Sequence, residues 1–171
     1  GLTPIRGISQ LVDAMQYTKT TLQLAGALDD VFQSNLSESA GWSKVVSCGH
    51  VNRKEALAIK QKSFAGIVTF LPFPNHVNAQ PNKIFEYMAS GIPVIGSNFP
   101  MWKELIEVQE VGVCVDPADP KAIGEAIEYL RTNPALARSM GERGKQRVKE
   151  IYNWSAEEEK LVRCYTEILN I

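Results

Sequence analysis

The sequence predicts an α/β protein built on a parallel β-sheet with helices on both faces. Short runs of apolar and β-branched residues alternate with helix-length segments, and this alternation is typical of strand–helix–strand units. The chain has 171 residues, of which 44% are hydrophobic and 22% charged, as in a single globular domain. A chain of this length buries enough apolar surface to fold without a metal ion or a disulfide. The predicted strands cover residues 22–25, 45–48, 67–71, 94–97 and 113–115.

The helices are predicted from apolar residues at helical spacing. Such spacing indicates a first helix over residues 8–15 and, less regularly, another before the third strand, around residues 56–60. After the last strand, Asp119 is expected to cap a helix that has Pro120 in its first turn. The apolar stripe of that helix consists of Ile123, Ile127 and Leu130.

The C-terminal third of the chain is predicted to be helical. Asn133 followed by Pro134 repeats the start signal seen at Asp119 and Pro120. Ser155 and Glu158 have the spacing of a capping box behind Trp154, so a final helix is expected over residues 154–171. The apolar face of that helix consists of Leu161, Val162, Tyr165, Ile168 and Leu169.

Composition argues against several classes of function. The net charge of −1 argues against a nucleic-acid partner, because such proteins normally carry a strongly basic face. Cys48, Cys114 and Cys164 are far apart and only two histidines are present, so we expect reduced core thiols and no metal site. The longest apolar run, residues 65–71, is too short to cross a bilayer, and no signal-peptide pattern opens the chain. These features favour a cytoplasmic protein.

Residues 78–98 combine a helix start, a charged pair and a sharp stop. A helix beginning near Pro81 and capped by Asn82 or Gln80 would turn the apolar residues Ile84, Phe85, Met88 and Ala89 toward the sheet. Lys83 and Glu86 would then face outward near the positive end of the helix. The segment follows a strand, so this helix start lies at the carboxyl edge of the sheet, where α/β proteins bind ligands. From spacing alone, an ordinary surface ion pair is the more common explanation of Lys83 and Glu86.

The run from Pro81 to Ile95, Pro-Asn-Lys-Ile-Phe-Glu-Tyr-Met-Ala-Ser-Gly-Ile-Pro-Val-Ile, closely resembles the donor-binding motif of GT-B glycosyltransferases of the group 1, or family 4, type. Further matches occur in the order of the family at residues 22–26, 46–51, 112–117 and 153–155. They cover nearly the whole chain, but only the C-terminal half of the family. The resemblance therefore implies a Rossmann-like, doubly wound donor-binding domain over residues 1–171, without the N-terminal acceptor domain.

The resemblance also assigns roles to individual residues. It gives Glu86 the ribose hydroxyls of a nucleoside diphosphate sugar, and it gives Arg6 and Lys83 the charge of the departing diphosphate. The backbone N–H groups of the loop and helix start would contact the diphosphate or the sugar. That segment consists of Asn78, Ala79, Gln80, Pro81 and Asn82. The turn formed by Gly49, His50 and Val51 would border the nucleotide base.

Two positions depart from the family pattern. Many members carry two glutamates eight positions apart, and Asn78 occupies the first of these positions here. Asn78 can hydrogen-bond a sugar hydroxyl but supplies no charge. The arginine of the family near the start of the domain would align with Gly1.

The resemblance implies sugar transfer from a nucleoside diphosphate sugar to an acceptor, with retention at the anomeric carbon and no cofactor or metal ion. The acceptor would be a sugar, a lipid-linked glycan or an envelope glycan bound through the missing half, so the isolated chain is expected to be inactive. A nucleotide-sugar 2-epimerase of the same architecture and a non-catalytic doubly wound signalling domain are the alternatives. The signalling domain is disfavoured, because the strands ending at Ala25 and Cys48 lack an acidic cluster.

A basic segment at residues 138–149 raises the question of membrane attachment. Its arginines and lysines alternate with Glu142 and precede Glu150, a pattern that favours a solvated helix face over a membrane-binding patch. Peripheral membrane association of the full-length protein stays a minor alternative. Trp42, Trp102 and Trp154 are expected to pack or to cap helices rather than to bind sugar.

Overall fold

The computed structural model describes residues 1–169, and it confirms the α/β fold with parallel strands. The strands are β1 (Leu22–Ala25), β2 (Val45–Gly49), β3 (Gly66–Val68), β4 (Val94–Ser97) and β5 (Gly112–Val115). β1 pairs with β2, and β4 pairs with both β3 and β5, always in parallel. β3 begins one residue earlier than predicted and ends three residues earlier, because the chain beyond Val68 leaves the ladder.

The strands form two ladders rather than the one sheet predicted. Within the described residues, β1 and β3 share no hydrogen bonds, and a cleft lined by both strands separates them. Across the two ladders the strands follow the order β2, β1, β3, β4, β5, with the cleft between β1 and β3. In the common doubly wound order 3-2-1-4-5-6, these strands take positions 3, 2, 4, 5 and 6. The cleft occupies position 1 of that order.

Nine helices precede, connect and follow the strands in the described part of the chain. Three single 3₁₀ turns, at Pro4–Arg6, Met15–Tyr17 and Trp42–Lys44, supplement them, and a π-helical turn at Glu104–Val108 extends the sixth helix. The helices are α1 (Ile8–Ala14), α2 (Asp30–Ser37), α3 (Arg53–Lys62), α4 (Pro74–Val77), α5 (Asn82–Ala89), α6 (Pro100–Lys103), α7 (Pro120–Thr132), α8 (Pro134–Glu150) and α9 (Trp154–Leu169).

Helices cover both faces of the β3–β5 ladder, as predicted. Ile95 of β4 packs in a buried cluster with residues of α1, α7 and α8. The preceding residue, Val94, packs in a second cluster with residues of α5 and α6. Since neighbouring residues of a strand point to opposite faces, this alternation shows a core on each side of the ladder.

The capping predictions are confirmed in part. Asp119 Oδ1 accepts hydrogen bonds from the N–H groups of Lys121 and Ala122 and caps α7. At α9 the cap is Asn153, whose Oδ1 accepts from the N–H of Ala156 at 3.0 Å. The predicted Ser155 cap is wrong, because α9 begins at Trp154 and Ser155 already lies in its first turn.

Unlike the neighbouring helices α7 and α8, α9 buries none of its described residues, 154–169. Trp154 is 71% exposed, so the expectation that it packs is wrong. Cys164, also on α9, is exposed rather than in the core. The other two thiols are half-buried, and burial together with the nearby Glu107 raises the pKa of Cys114 to about 12, so Cys114 stays protonated at neutral pH.

No helix among residues 1–169 is long and apolar enough to span a membrane. The same residues contain no cluster of three or more metal-ligating side chains.

An ion pair on α7 is expected to make a small contribution to the free energy of unfolding that is lost in acid. Arg131 forms two hydrogen bonds with Glu128, which also accepts from the N–H of Lys19, and these contacts lower the pKa of Glu128 to about 2. Because this pKa lies below that of the unfolded chain, the contribution is complete at neutral pH and is lost as pH falls toward about 2. We expect Glu128→Gln to lower the Tm by about 1–3 °C at pH 7 and by progressively less in acid. Glu125→Gln on the same helix is the control, and an equal loss in both variants would contradict the role of Glu128.

Candidate functional site

The candidate site is built around the first turn of α5, at the carboxyl edge of the β3–β5 ladder. Pro81 occupies the N-cap position with extended backbone, and no side chain among residues 1–169 caps the turn. The predicted caps Asn82 and Gln80 are therefore wrong, since Asn82 is already the first helical residue. The end of the helix is as predicted, because Gly91 adopts a left-handed φ of 73° before Pro93.

α5 divides into a buried face and a charged face. Ile84 and Met88 are fully buried, as predicted, whereas Ala89 is exposed. Lys83 and Glu86 lie on the charged face, where Lys83 Nζ is 2.9 Å from each carboxylate oxygen of Glu86. The pair is therefore an ion pair, as the simpler explanation held, but it has a third partner.

The third partner is Lys60 of α3, whose Nζ lies 3.2 Å from Glu86 Oε2. Partial burial raises the pKa of Glu86, but the hydrogen bonds from Lys83 and Lys60 and their positive charges outweigh it and leave the pKa below its ordinary value. Glu86 is therefore ionised throughout the physiological range, and the three side chains carry a net charge of one positive unit. Lys60 was missed by sequence analysis, because nothing in the sequence distinguishes it from Lys54 or Lys62 on the same helix.

Arg6 is held at the carboxyl end of β3 by a sharp turn. The N–H of Leu71 donates to the carbonyl of Ile5 at 3.1 Å, and Arg6 Cζ lies 5.3 Å from the centroid of the Phe70 ring. Gly7 has a φ of 70°, and a Cβ at this position would overlap the carbonyl oxygen of Thr69. Only glycine therefore allows the turn to approach the strand this closely.

A cleft of about 820 Å³ brings several of the predicted site residues together. It runs between β1 and β3 and is bordered by α3 and α5. Gly49, at the start of the predicted base-binding turn, has a left-handed φ of 62°, but it is not among the described residues that line the cleft. The predicted site residues that do line it are Arg6, His50, Val51, Lys83 and Glu86.

The remaining predicted residues, at positions 78–82, do not line the cleft within the described chain. Residues 78–81 form the connection between α4 and α5, and Asn82 is the first residue of α5. Trp102 fixes this connection, because its Nε1 donates to the carbonyl of Ala79 at 2.7 Å. His76 lies beside it, buried in α4, with Nδ1 3.0 Å from the carbonyl oxygen of Leu71. The connection is thus anchored to the core while Asn78 and Gln80 stay exposed.

Thr69 is a further cleft residue that sequence analysis missed. It is 2% exposed, and its Oγ1 has no hydrogen-bond partner among the described residues. A buried hydroxyl without a partner is costly, so such a group is a candidate to hydrogen-bond a ligand or a water molecule.

Among the described residues, the cleft lining therefore combines one carboxylate acceptor, Glu86, with four cations, which are Arg6, Lys60, Lys62 and Lys83. A carboxylate suits the hydroxyl groups of a sugar, and cations suit phosphate oxygens.

The family model for glycosyl transferases group 1 matches residues 2–147. The chain belongs to the group 1 glycosyltransferases. D-rhamnosyltransferase WbpZ of Pseudomonas aeruginosa is 28% identical over 153 residues, which are 86% of this chain and 38% of that protein. The capsular polysaccharide biosynthesis glycosyltransferase CapM of Staphylococcus aureus is 30% identical over 107 residues, which are 63% of this chain and 28% of that protein.

Solved glycosyltransferase structures confirm the Rossmann-like GT-B fold predicted for this group 1 chain. Sucrose-phosphate synthase from Thermosynechococcus elongatus superposes with a TM-score of 0.84 at 24% identity, over 98% of this chain and 43% of that chain. Anabaena HepE in complex with UDP superposes with a TM-score of 0.83 at 17% identity, over 97% of this chain and 46% of that chain. The C-terminal domain of the group 1 protein LpcC from Francisella tularensis superposes with a TM-score of 0.75 at 20% identity, over 90% of this chain and 83% of that chain. The chain spans 28% to 38% of the curated relatives named above, and most of the LpcC domain.

Proposed function

We propose that this group 1 domain binds a nucleoside diphosphate sugar at the carboxyl edge of its sheet, and that the protein containing it transfers the sugar to an acceptor. The observation that carries the proposal is the convergence of Arg6, Lys83 and Glu86 at one cleft between β1 and α5. The similarity in fold to HepE, which was solved in complex with UDP, supports a nucleotide as the ligand.

In the proposed complex, Glu86 accepts hydrogen bonds from the two ribose hydroxyls. Arg6 and Lys83 face the diphosphate, where they stabilise the negative charge that develops as the sugar–phosphate bond breaks. The N–H groups at the start of α5 add to this stabilisation, since no side chain in the described part of the chain caps them. His50 and Val51 border the base from the opposite side of the cleft.

Positions 78–80 are proposed to face the donor sugar through their backbone. Asn78 would hydrogen-bond a sugar hydroxyl without contributing charge. Retention at the anomeric carbon and a cytoplasmic reaction belong to the same proposal, as does an acceptor bound outside this chain. Charge stabilisation by side chains accounts for departure of the leaving group in this scheme, so no metal ion or cofactor is assigned a role.

The experiment that tests the proposal is a titration of this chain with UDP, GDP and their sugar conjugates, followed by calorimetry. We expect one base to bind about 5-fold to 150-fold more tightly than the other, because specific contacts to a base discriminate by about 1–3 kcal/mol. Absence of heat with every nucleotide at millimolar concentration would contradict the donor-binding role of the chain.

A second expectation concerns turnover. We expect this chain to bind donor but to transfer no sugar, because the acceptor site is proposed to lie outside it. Incubation with radiolabelled donor and saccharide acceptors, followed by chromatography, measures transfer directly. Glycosylated product from the isolated chain would show that the acceptor site lies within residues 1–171.

A further inference from the structure

Glu86 is held by two lysines of different helices. The proposed donor site assigns Lys83 to the diphosphate and Glu86 to the ribose, although the two side chains contact each other. Lys83 Nζ lies 2.9 Å from both oxygens of Glu86. If Lys83 faces a diphosphate, it leaves this carboxylate. Glu86, which is partly buried, would then lose the cation that occupies both its oxygens.

The two lysines are not equivalent. The Lys60 side chain is 18% exposed and reaches Glu86 from α3, across the cleft, whereas the Lys83 side chain is 56% exposed and lies on the same helix as Glu86. Lys60 hydrogen-bonds Oε2 of Glu86, and within residues 1–169 the recorded partner of Oε1 is Lys83, so Oε1 can accept from a ligand once Lys83 has moved. Because one carboxylate neutralises only one of two ammonium groups, the cluster has a surplus positive charge to offer an anion. Breaking the contact of the exposed lysine costs less than breaking that of the mostly buried one, because water screens the exposed ion pair more strongly.

We propose that Lys60 is the positioning residue of the donor site: it holds Glu86 in place and ionised when Lys83 leaves the carboxylate to contact the diphosphate. The inference rests on the proposed function, which assigns ribose to Glu86 and diphosphate to Lys83. Lys60 itself touches no substrate in this scheme. Lys60 thereby allows Glu86 to hydrogen-bond the ribose while Lys83 contacts the diphosphate.

The test compares UDP with uridine, and GDP with guanosine, in the chain and in Lys60→Met, Lys60→Arg and Lys83→Met. We expect Lys83→Met to weaken diphosphate binding by about tenfold and nucleoside binding far less, because it removes one charge-assisted contact to phosphate. We expect Lys60→Met to weaken nucleoside and diphosphate alike, by about fivefold, and to shift the acid limb of binding to higher pH, because the pKa of Glu86 rises when a cation is lost. We expect Lys60→Arg to restore the affinity of the unaltered chain and the pH at which binding is lost in acid.

Lys54→Met is the matched control, since Lys54 is exposed on the same helix and lies outside the cleft. The inference is overturned if Lys60→Met behaves like Lys54→Met, or if Lys83→Met weakens nucleoside and diphosphate equally. A ¹³C NMR titration of the Glu86 carboxyl in the ligand-free chain gives an independent reading: its pKa rises in Lys60→Met and returns in Lys60→Arg. If no nucleotide binds the unaltered chain, the donor-binding proposal fails, and this titration alone decides whether Lys60 controls Glu86.

Discussion

Replacing Glu86 with alanine is expected to remove most of the nucleotide affinity of this domain without unfolding it. The carboxylate is proposed to accept two hydrogen bonds from ribose, and hydrogen bonds to charged groups contribute about 1.5–3 kcal/mol each. A loss of roughly 3–6 kcal/mol corresponds to an increase in Kd of about 150-fold or more. The fold should survive, because the Glu86 side chain is 40% exposed and its partners are two lysines that water can solvate.

Calorimetry with the nucleotide that binds best measures the effect, and the Tm of each variant shows whether folding is preserved. Glu86→Gln should retain part of the affinity, because the amide oxygen still accepts a hydrogen bond. Glu142→Ala, an exposed carboxylate of α8, is the control and should bind as the parent does. Equal affinity in Glu86→Ala and Glu142→Ala would remove Glu86 from the site.

Replacing Trp102 with alanine is expected to cause the largest loss of stability. The Trp102 side chain is fully buried and packs edge-on against Phe70 and Phe99, with ring centroids 5.7 and 5.2 Å away. Truncating a buried tryptophan costs about 3–5 kcal/mol, which is a large part of the stability of a typical domain. Trp102→Ala also removes the hydrogen bond to Ala79, so the connection between α4 and α5 loses its anchor.

Urea denaturation of the alanine and phenylalanine variants separates packing from hydrogen bonding. Trp102→Phe keeps an aromatic ring in the core, and we expect a loss of about 1–3 kcal/mol from the smaller volume and the unpaired Ala79 carbonyl. Trp154→Ala on α9 is the matched control, since Trp154 is 71% exposed, and its effect should stay within about 0.5 kcal/mol. A Trp102→Ala variant as stable as Trp154→Ala would contradict the packing described for α6.

Local patterns in the sequence predicted most of the fold because they depend on neighbours within one or two turns. Apolar periodicity gave the five strands and the faces of α5, and the glycine–proline stop after α5 required the left-handed Gly91 that the structure shows. The errors at helix starts have the same origin. Asn82 and Ser155 are both good capping residues, but each lies one or more residues inside its helix, and helix boundaries are the least certain part of such predictions.

Long-range features could not be predicted in this way. Lys60 and Glu86 are 26 residues apart, and only the packing of α3 beside α5 brings them within 3.2 Å. The division of the strands into two ladders is similarly non-local, since strand patterns specify faces but not partners. Arg6, Lys83 and Glu86 were identified by family resemblance, and the structure adds that all three border one cleft.

The two ladders pack against one hydrophobic core, so the proposed ligand would bind to a single body. Strands β1 and β3 both pack against the buried cluster that contains Ile95. His50 and Val51 follow β2, whereas Lys83 and Glu86 follow β3, and the shared core holds these two parts of the site in a fixed relation. The base would then bind without the entropic cost of ordering one ladder against the other.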